Sequence, residues 1–243
     1  MLFDTLVTMG GLQLNAVLGL SYNWLGKGAC SIAAVLFVTF GPLQRAEVGF
    51  CMPIRWRGAY LWVLLGLMVF AVMFAPDLQV GAESFGYQLT MPGIAEELTY
   101  RGILLALLLR IYGNDARAMW LAALVTSVAF ACIHDLDFHG KRIICPPGPF
   151  AFHFAMGMFF AWIRLSTGSL LMPILAHNLY NTAAEMGGLW RLAAGQVAAR
   201  AASARAVWAV SARPITPVPR GWPSNDRPSA RVEVTDYGIT GGT

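Results

Sequence analysis

The chain has 243 residues, of which 57% are hydrophobic and only 12% charged, with a mean hydropathy of +0.57. A water-soluble domain carries roughly 25% charged residues to wet its surface, so this composition excludes a surface that faces water throughout. The net charge of +4 does not mark a nucleic-acid binder: ten of the 17 basic residues flank or interrupt apolar runs and seven lie from residue 191 onward, a pattern of membrane-flanking loops rather than of a basic groove.

Taken in chain order, the apolar runs predict about seven transmembrane helices (six to eight), an all-α polytopic bundle. Residues 5–21 are moderately apolar, interrupted by Thr5, Thr8, Gln13 and Asn15. They lack a basic leader region and an A-x-A site, so they read as a span or an interfacial helix rather than a cleaved signal peptide. Runs follow at 28–43 and 58–75, the second without a single charge, and between them lies a loop carrying Arg45, Arg55 and Arg57. Further runs cover 91–112, 117–134, 149–165 and 170–190, with Trp62, Trp120, Trp162 and Trp190 near their ends, where interfacial aromatics collect. Residues 191–212 are Ala-rich with Arg191, Arg200 and Arg205, which suits an amphipathic surface helix or a weak last span. From Arg213 onward the prolines predict a disordered tail. Basic residues fall on both sides of the predicted membrane, so loop charge fixes no orientation. Cys30, Cys51, Cys132 and Cys145 form no CxxC pair, and neither a zinc knuckle nor a redox motif is indicated.

Polar groups inside apolar runs are the informative residues, because each ionised side chain at mid-bilayer costs about 2.5–3.5 kcal/mol on insertion scales. The run at 91–112 carries Glu96, Glu97 and Arg101 near its start, and Pro92 suits the first turn of a helix that begins just before them. Glu97 and Arg101 are spaced i,i+4 and can pair on one helix face. Glu96, rotated by about 100°, has no such local partner, and a lone carboxylate in a low-dielectric setting holds its proton tightly enough to exchange it near neutral pH. The run at 117–134 closes on His134, four residues after Phe130. The run at 170–190 places His177 and Asn181 four apart, on one face, at a depth of roughly 15 Å from the preceding loop. Simple alternation of spans brings Glu96 and His134 to a comparable level and carries His177 and Asn181 toward it from the other side. His153 and Glu185 are read as a packing histidine and a carboxylate near the far interface.

The three elements, Glu96-Glu97-x-x-x-Arg101, Phe130-x-x-x-His134 and His177-x-x-x-Asn181, together with the stretch TGSLLMPILAHNLYN, resemble the signature motifs of the CPBP family (CAAX-protease and bacteriocin-processing membrane proteins, also called Abi). The resemblance covers roughly residues 88–190. It implies a glutamic-type intramembrane endopeptidase, a hydrolase of a bacterial or archaeal cell membrane. In that case Glu96 activates the attacking water, His134 helps to hold or deprotonate it, His177 and Asn181 stabilise the oxyanion, and Glu97 and Arg101 shape the site. The expected organisation is then N-terminal transmembrane helices at 1–87, a catalytic membrane core at 88–190, an amphipathic helix or last span at 191–212, and a tail at 213–243.

The expected partners are membrane lipid and a peptide or protein substrate with a membrane-associated segment or C-terminal tail, with no nucleic acid. The resemblance to a glutamic-type mechanism implies that no metal is used, and the usual zinc-protease motif HExxH is absent. Glu96, His134 and His177 leave a zinc-dependent version open as an alternative, beside a non-proteolytic immunity or scaffold protein of the same family. A proton-relay transporter is disfavoured by the lack of duplicated halves.

Overall fold

The computed structural model describes residues 14–53, 58–74, 81–139 and 142–211. Most of the first predicted run (5–13), Arg55, Arg57 and Lys141, and the tail from 213 onward lie outside the described residues. Two compact units are present, Met1–Gly195 and Gln196–Thr243, the second described only over the helical residues 196–211.

A helical turn at 14–17 precedes α1 (Trp24–Phe40), which Asn23 caps by accepting the Gly26 N–H at 3.0 Å. The short helix α2 (Arg45–Val48) carries a capping box made by Gln44 and Glu47. Next comes α3 (Ala59–Phe74), whose Tyr60 and Leu64 pack with Phe160, Ile163, Met172 and Ala176. One further helical rod comprises α4 (Ala82–Glu97), a π-helical segment (Leu98–Leu104) and α5 (Leu105–Tyr112). The remaining helices are α6 (Ala116–Asp135), capped by the Asp115 carboxylate on Ala118 N, α7 (Pro147–Thr167), and α8 (Leu171–Ser211).

The fold class is all-α, with one addition that apolar periodicity does not reveal. A two-stranded antiparallel ribbon, β1 (Asp137–His139) with β2 (Arg142–Ile144), joins α6 to α7, pairing Asp137 with Ile144. Among the described residues α6 alone is both long and apolar enough to cross a membrane by length and composition; α1 and α3 are apolar but have 17 and 16 residues. Large apolar side chains nevertheless stand exposed along α3, among them Leu61, Trp62, Leu65, Val69, Met73 and Phe74. A continuous apolar face of this kind has no stable interface with water.

Two expectations about helix limits are corrected. The helix carrying Glu96 starts at Ala82, nine residues before the apolar run, so Pro92 lies in its interior and not in its first turn. Proline removes an N–H and crowds the preceding turn, and a side chain from α8 fills the gap. Asn178 accepts the Gly93 N–H at 2.8 Å and donates to the Thr90 carbonyl at 3.1 Å. Only glycine fits at 93, since a Cβ there would meet the Asn178 amide and lie 2.8 Å from the Ile174 carbonyl oxygen. Residues 191–212, read as an amphipathic helix or last span, are helical as far as Ser211 in the same helical element as His177; Ala-rich sequence without proline gives no signal to stop.

Candidate active site

Four helices of the first unit deliver the singled-out residues to one place. Helix α4 ends on Glu96 and Glu97, and the π segment that follows carries Arg101. Such segments are uncommon and recur at functional sites, because the extra residue per turn re-aims the side chains around it. Helix α6 closes on His134, and α8 carries His177 and Asn181. Helix α7 approaches α6 closely at Gly157, where a Cβ would lie 2.9 Å from the Ser127 Cβ, and its carbonyl there accepts a hydrogen bond from the Arg101 guanidinium at 3.1 Å.

The Glu97–Arg101 pair is wholly buried, each side chain 0% exposed, with Nη1 to Oε1 at 3.3 Å. The guanidinium lies over the Phe130 ring at 4.4 Å, a cation–π contact that replaces part of its lost hydration. The same Glu97 Oε1 accepts from His177 Nδ1 at 2.8 Å. The ring of His177 stacks on Phe160 with centroids 4.9 Å apart. Glu97 therefore holds two groups, and its role extends beyond the local ion pair that spacing alone suggests.

Both candidate imidazoles are fixed in tautomer. His134 Nδ1 lies 2.8 Å from the Phe130 carbonyl oxygen, which can only accept, so Nδ1 carries the hydrogen. His177 Nδ1 faces an ionised carboxylate and donates for the same reason. Each ring thus turns Nε2 toward Glu96, at 3.5 Å for His134 and 3.9 Å for His177, both measured to Oε2. Oε2 is buried and makes no hydrogen bond within the protein. The other carboxylate oxygen, Oε1, accepts from Lys27 Nζ of α1 at 2.9 Å. Glu96 is therefore not a lone carboxylate: its partner comes from 69 residues away in the chain.

A cavity of about 380 Å³ opens on these groups, lined by Glu96, His134, His153, His177 and Asn181 among others. Asn181 donates to Gln88 Oε1 at 3.1 Å, which leaves one of its two amide hydrogens for a bound group. His153, read from sequence as a packing residue, lies in the cavity wall. Its Nδ1 is 2.8 Å from Asp135 Oδ2 and its ring stacks on His134 with centroids 4.7 Å apart. Glu185, expected near the far interface, is 1% exposed and buried. Among the described residues no group of three or more His, Cys, Asp or Glu is arranged to hold a metal ion.

Comparison with known families settles what kind of protein presents this arrangement. The model of the type II CAAX prenyl endopeptidase family, Rce1-like, matches residues 62–183. The chain belongs to that family. The match covers α4, α6, α7 and the part of α8 that bears His177 and Asn181, and leaves α1 with Lys27 outside. No curated protein and no solved structure matches the chain. The Rce1-like family is a membrane-embedded family of CAAX proteases. Membership makes a peptide the class of substrate and a membrane the setting.

Proposed function

We propose that this protein is an intramembrane endopeptidase in which Glu96 activates a water molecule for attack on a peptide bond. The observation that carries this reading is the orientation of Glu96 Oε2, a buried acceptor without a partner, facing two imidazole Nε2 atoms across the cavity floor. A water seated between Oε2 and His134 Nε2 meets two acceptors and donates a hydrogen to each, which directs a lone pair outward at the substrate carbonyl.

In the reaction so framed, the water oxygen bonds to the carbonyl carbon as one of its protons passes to Glu96. The carbonyl becomes an oxyanion. His177 and Asn181 lie on the same wall to receive it, Asn181 through its second amide hydrogen. His177 donates there only when Nε2 also carries a hydrogen, since Nδ1–H is already committed to Glu97. Donors preset in a dry cavity are worth about 10²–10³ in kcat each. Collapse of the intermediate re-forms the carbonyl and breaks the C–N bond, Glu96 returns its proton to the departing amine, and a carboxylic acid and an amine leave.

The reading is metal-free. The Lys27 ammonium already meets Glu96 Oε1 at 2.9 Å, and a divalent cation bound to the same carboxylate would lie within a few ångströms of that charge, where like charges repel. The catalytic core at 88–190 then takes one group, Lys27, from the N-terminal helices at 1–87, and the bundle crosses the membrane about seven times. The substrate is a peptide with a membrane-associated or C-terminal tail segment, and the family makes a prenylated CAAX peptide the first to test. A Glu96→Ala protein in proteoliposomes, used as a trap and followed by mass spectrometry of what co-purifies, identifies it. Enrichment of nothing beyond what a Glu96→Ala/His177→Ala control retains contradicts the reading.

A further inference from the structure

We propose that Lys27 is a positioning residue of this site: its ammonium grips Glu96 Oε1 and so fixes the rotation of the carboxylate that turns Oε2 to the imidazoles. The proposal rests on Glu96 as the water-activating group. Three observations support it. Lys27 lies on α1, in the first helical turn after the Asn23 cap, so its backbone is anchored rather than free to swing. The Asn23 side chain that caps this turn is itself held by Asn15 Nδ2 at 2.9 Å. Second, a carboxylate at the end of Glu96 rotates about a broad sp³–sp² torsion with no steep barrier of its own, and Oε2 makes no hydrogen bond within the protein. The contact with Lys27 at 2.9 Å is the short one that sets the carboxylate plane, since the imidazoles stand at 3.5 and 3.9 Å.

The third observation concerns the surroundings. Among the described residues, the charged and titratable groups facing Glu96 are Lys27 from α1, His134 from α6, His177 from α8, and Tyr87 and Arg101 from its own rod. Arg101 is committed to Glu97 and to the Gly157 carbonyl. Of the permanent cations in this group, Lys27 is the one that contacts Glu96. The alignment of the nucleophilic water then depends on a residue outside the segment that matches the family.

The test uses the full chain in proteoliposomes with a quenched fluorogenic prenylated CAAX peptide, comparing wild type, Lys27→Met, Lys27→Arg and Glu96→Gln. A carboxylate turned away by about 1 Å loses on the order of 10² in rate. We expect Lys27→Met to lower kcat by about that factor with KM within twofold, Lys27→Arg to recover most of it, and thermal stability in detergent to stay within a few degrees. An unchanged kcat in Lys27→Met beside an inactive Glu96→Gln overturns this proposal alone. An active Glu96→Gln overturns the underlying mechanism as well. A fall in stability that accounts for the lost activity, with Lys27→Arg equally impaired, reduces Lys27 to a structural contact and also overturns the proposal. A measurement that needs no substrate is the infrared difference spectrum of wild type minus Glu96→Gln, which isolates the Glu96 carboxylate band. That band shifts in Lys27→Met if the contact sets the carboxylate, and an unshifted band refutes it.

Discussion

The buried Glu97–Arg101 pair makes a demanding prediction about stability. Replacing Glu97 with Gln keeps the shape and an oxygen that can still accept from His177 Nδ1, so the change removes charge with little else. At 3.3 Å the Coulomb attraction lost is about 5 kcal/mol at an effective dielectric of 20. Breaking one partner of a buried pair costs about 3–5 kcal/mol in practice. Arg101 keeps its bond to the Gly157 carbonyl and its place over Phe130, and a desolvated cation–π contact is worth about 2 kcal/mol. These place the expected loss toward the lower end, about 3 kcal/mol. Reversible unfolding in mixed detergent and dodecyl sulfate micelles reads it out. Removing the stranded charge in Glu97→Gln/Arg101→Met should restore at least half of the loss, because an apolar side chain of similar length suits the Phe130–Phe160 surroundings. A Glu97→Gln protein within 1 kcal/mol of wild type, or a double variant less stable than the single, would refute the reasoning that the pair is uncompensated without its carboxylate.

Other outcomes follow from the same contacts. Gly93→Ala drives a methyl group into the Asn178 amide and displaces its bridge across the Pro92 gap, at a cost of about 2–4 kcal/mol from overpacking and a lost buried hydrogen bond; the same unfolding assay measures it, and a neutral substitution contradicts the bridge. Chelator treatment leaves cleavage unchanged if the site works without metal, whereas loss restored by zinc alone rejects that part of the mechanism. On the short helix α2, hydrogen bonds from Arg110 and the Gln44 backbone hold the Glu47 carboxyl below its ordinary range. With the folded value lowered, the stabilising contribution is present above the ordinary carboxylate range and fades as pH falls through the lowered value. Stability measured against pH should show this acid-side step in wild type and lack it in Glu47→Gln.

Much of the site was readable because its residues violate the rule of their surroundings. Glu96, Glu97, His134, His177 and Asn181 stand out in runs that are otherwise mostly apolar, and i,i+4 spacing reveals the Glu97–Arg101 pair. The π segment that follows Glu97 has no such signature, since nothing in Leu98–Leu104 distinguishes a π from an α helix. Lys27 was legible only as a basic residue beside an apolar run; its partner is 69 residues away, and no local pattern encodes that distance. The beginning of α4 was missed because ESFGYQLT is not apolar. Its helix is sustained by contacts of Glu83 with Ser21, Tyr22 and Trp24, and by packing of Tyr87 on Tyr22 and Trp24. His153 passed as a packing residue because its partner Asp135 sits 18 positions earlier at the end of another helix. Pro92 conformed to a helix-start rule that tertiary contact with Asn178 overrides.

The central claim is that Glu96 activates the attacking water. The most direct measurement is single-turnover cleavage of a peptide substrate by Glu96→Ala, with membrane insertion checked in parallel. The account predicts a correctly inserted protein with no cleavage; cleavage at the wild-type rate by that variant would contradict it.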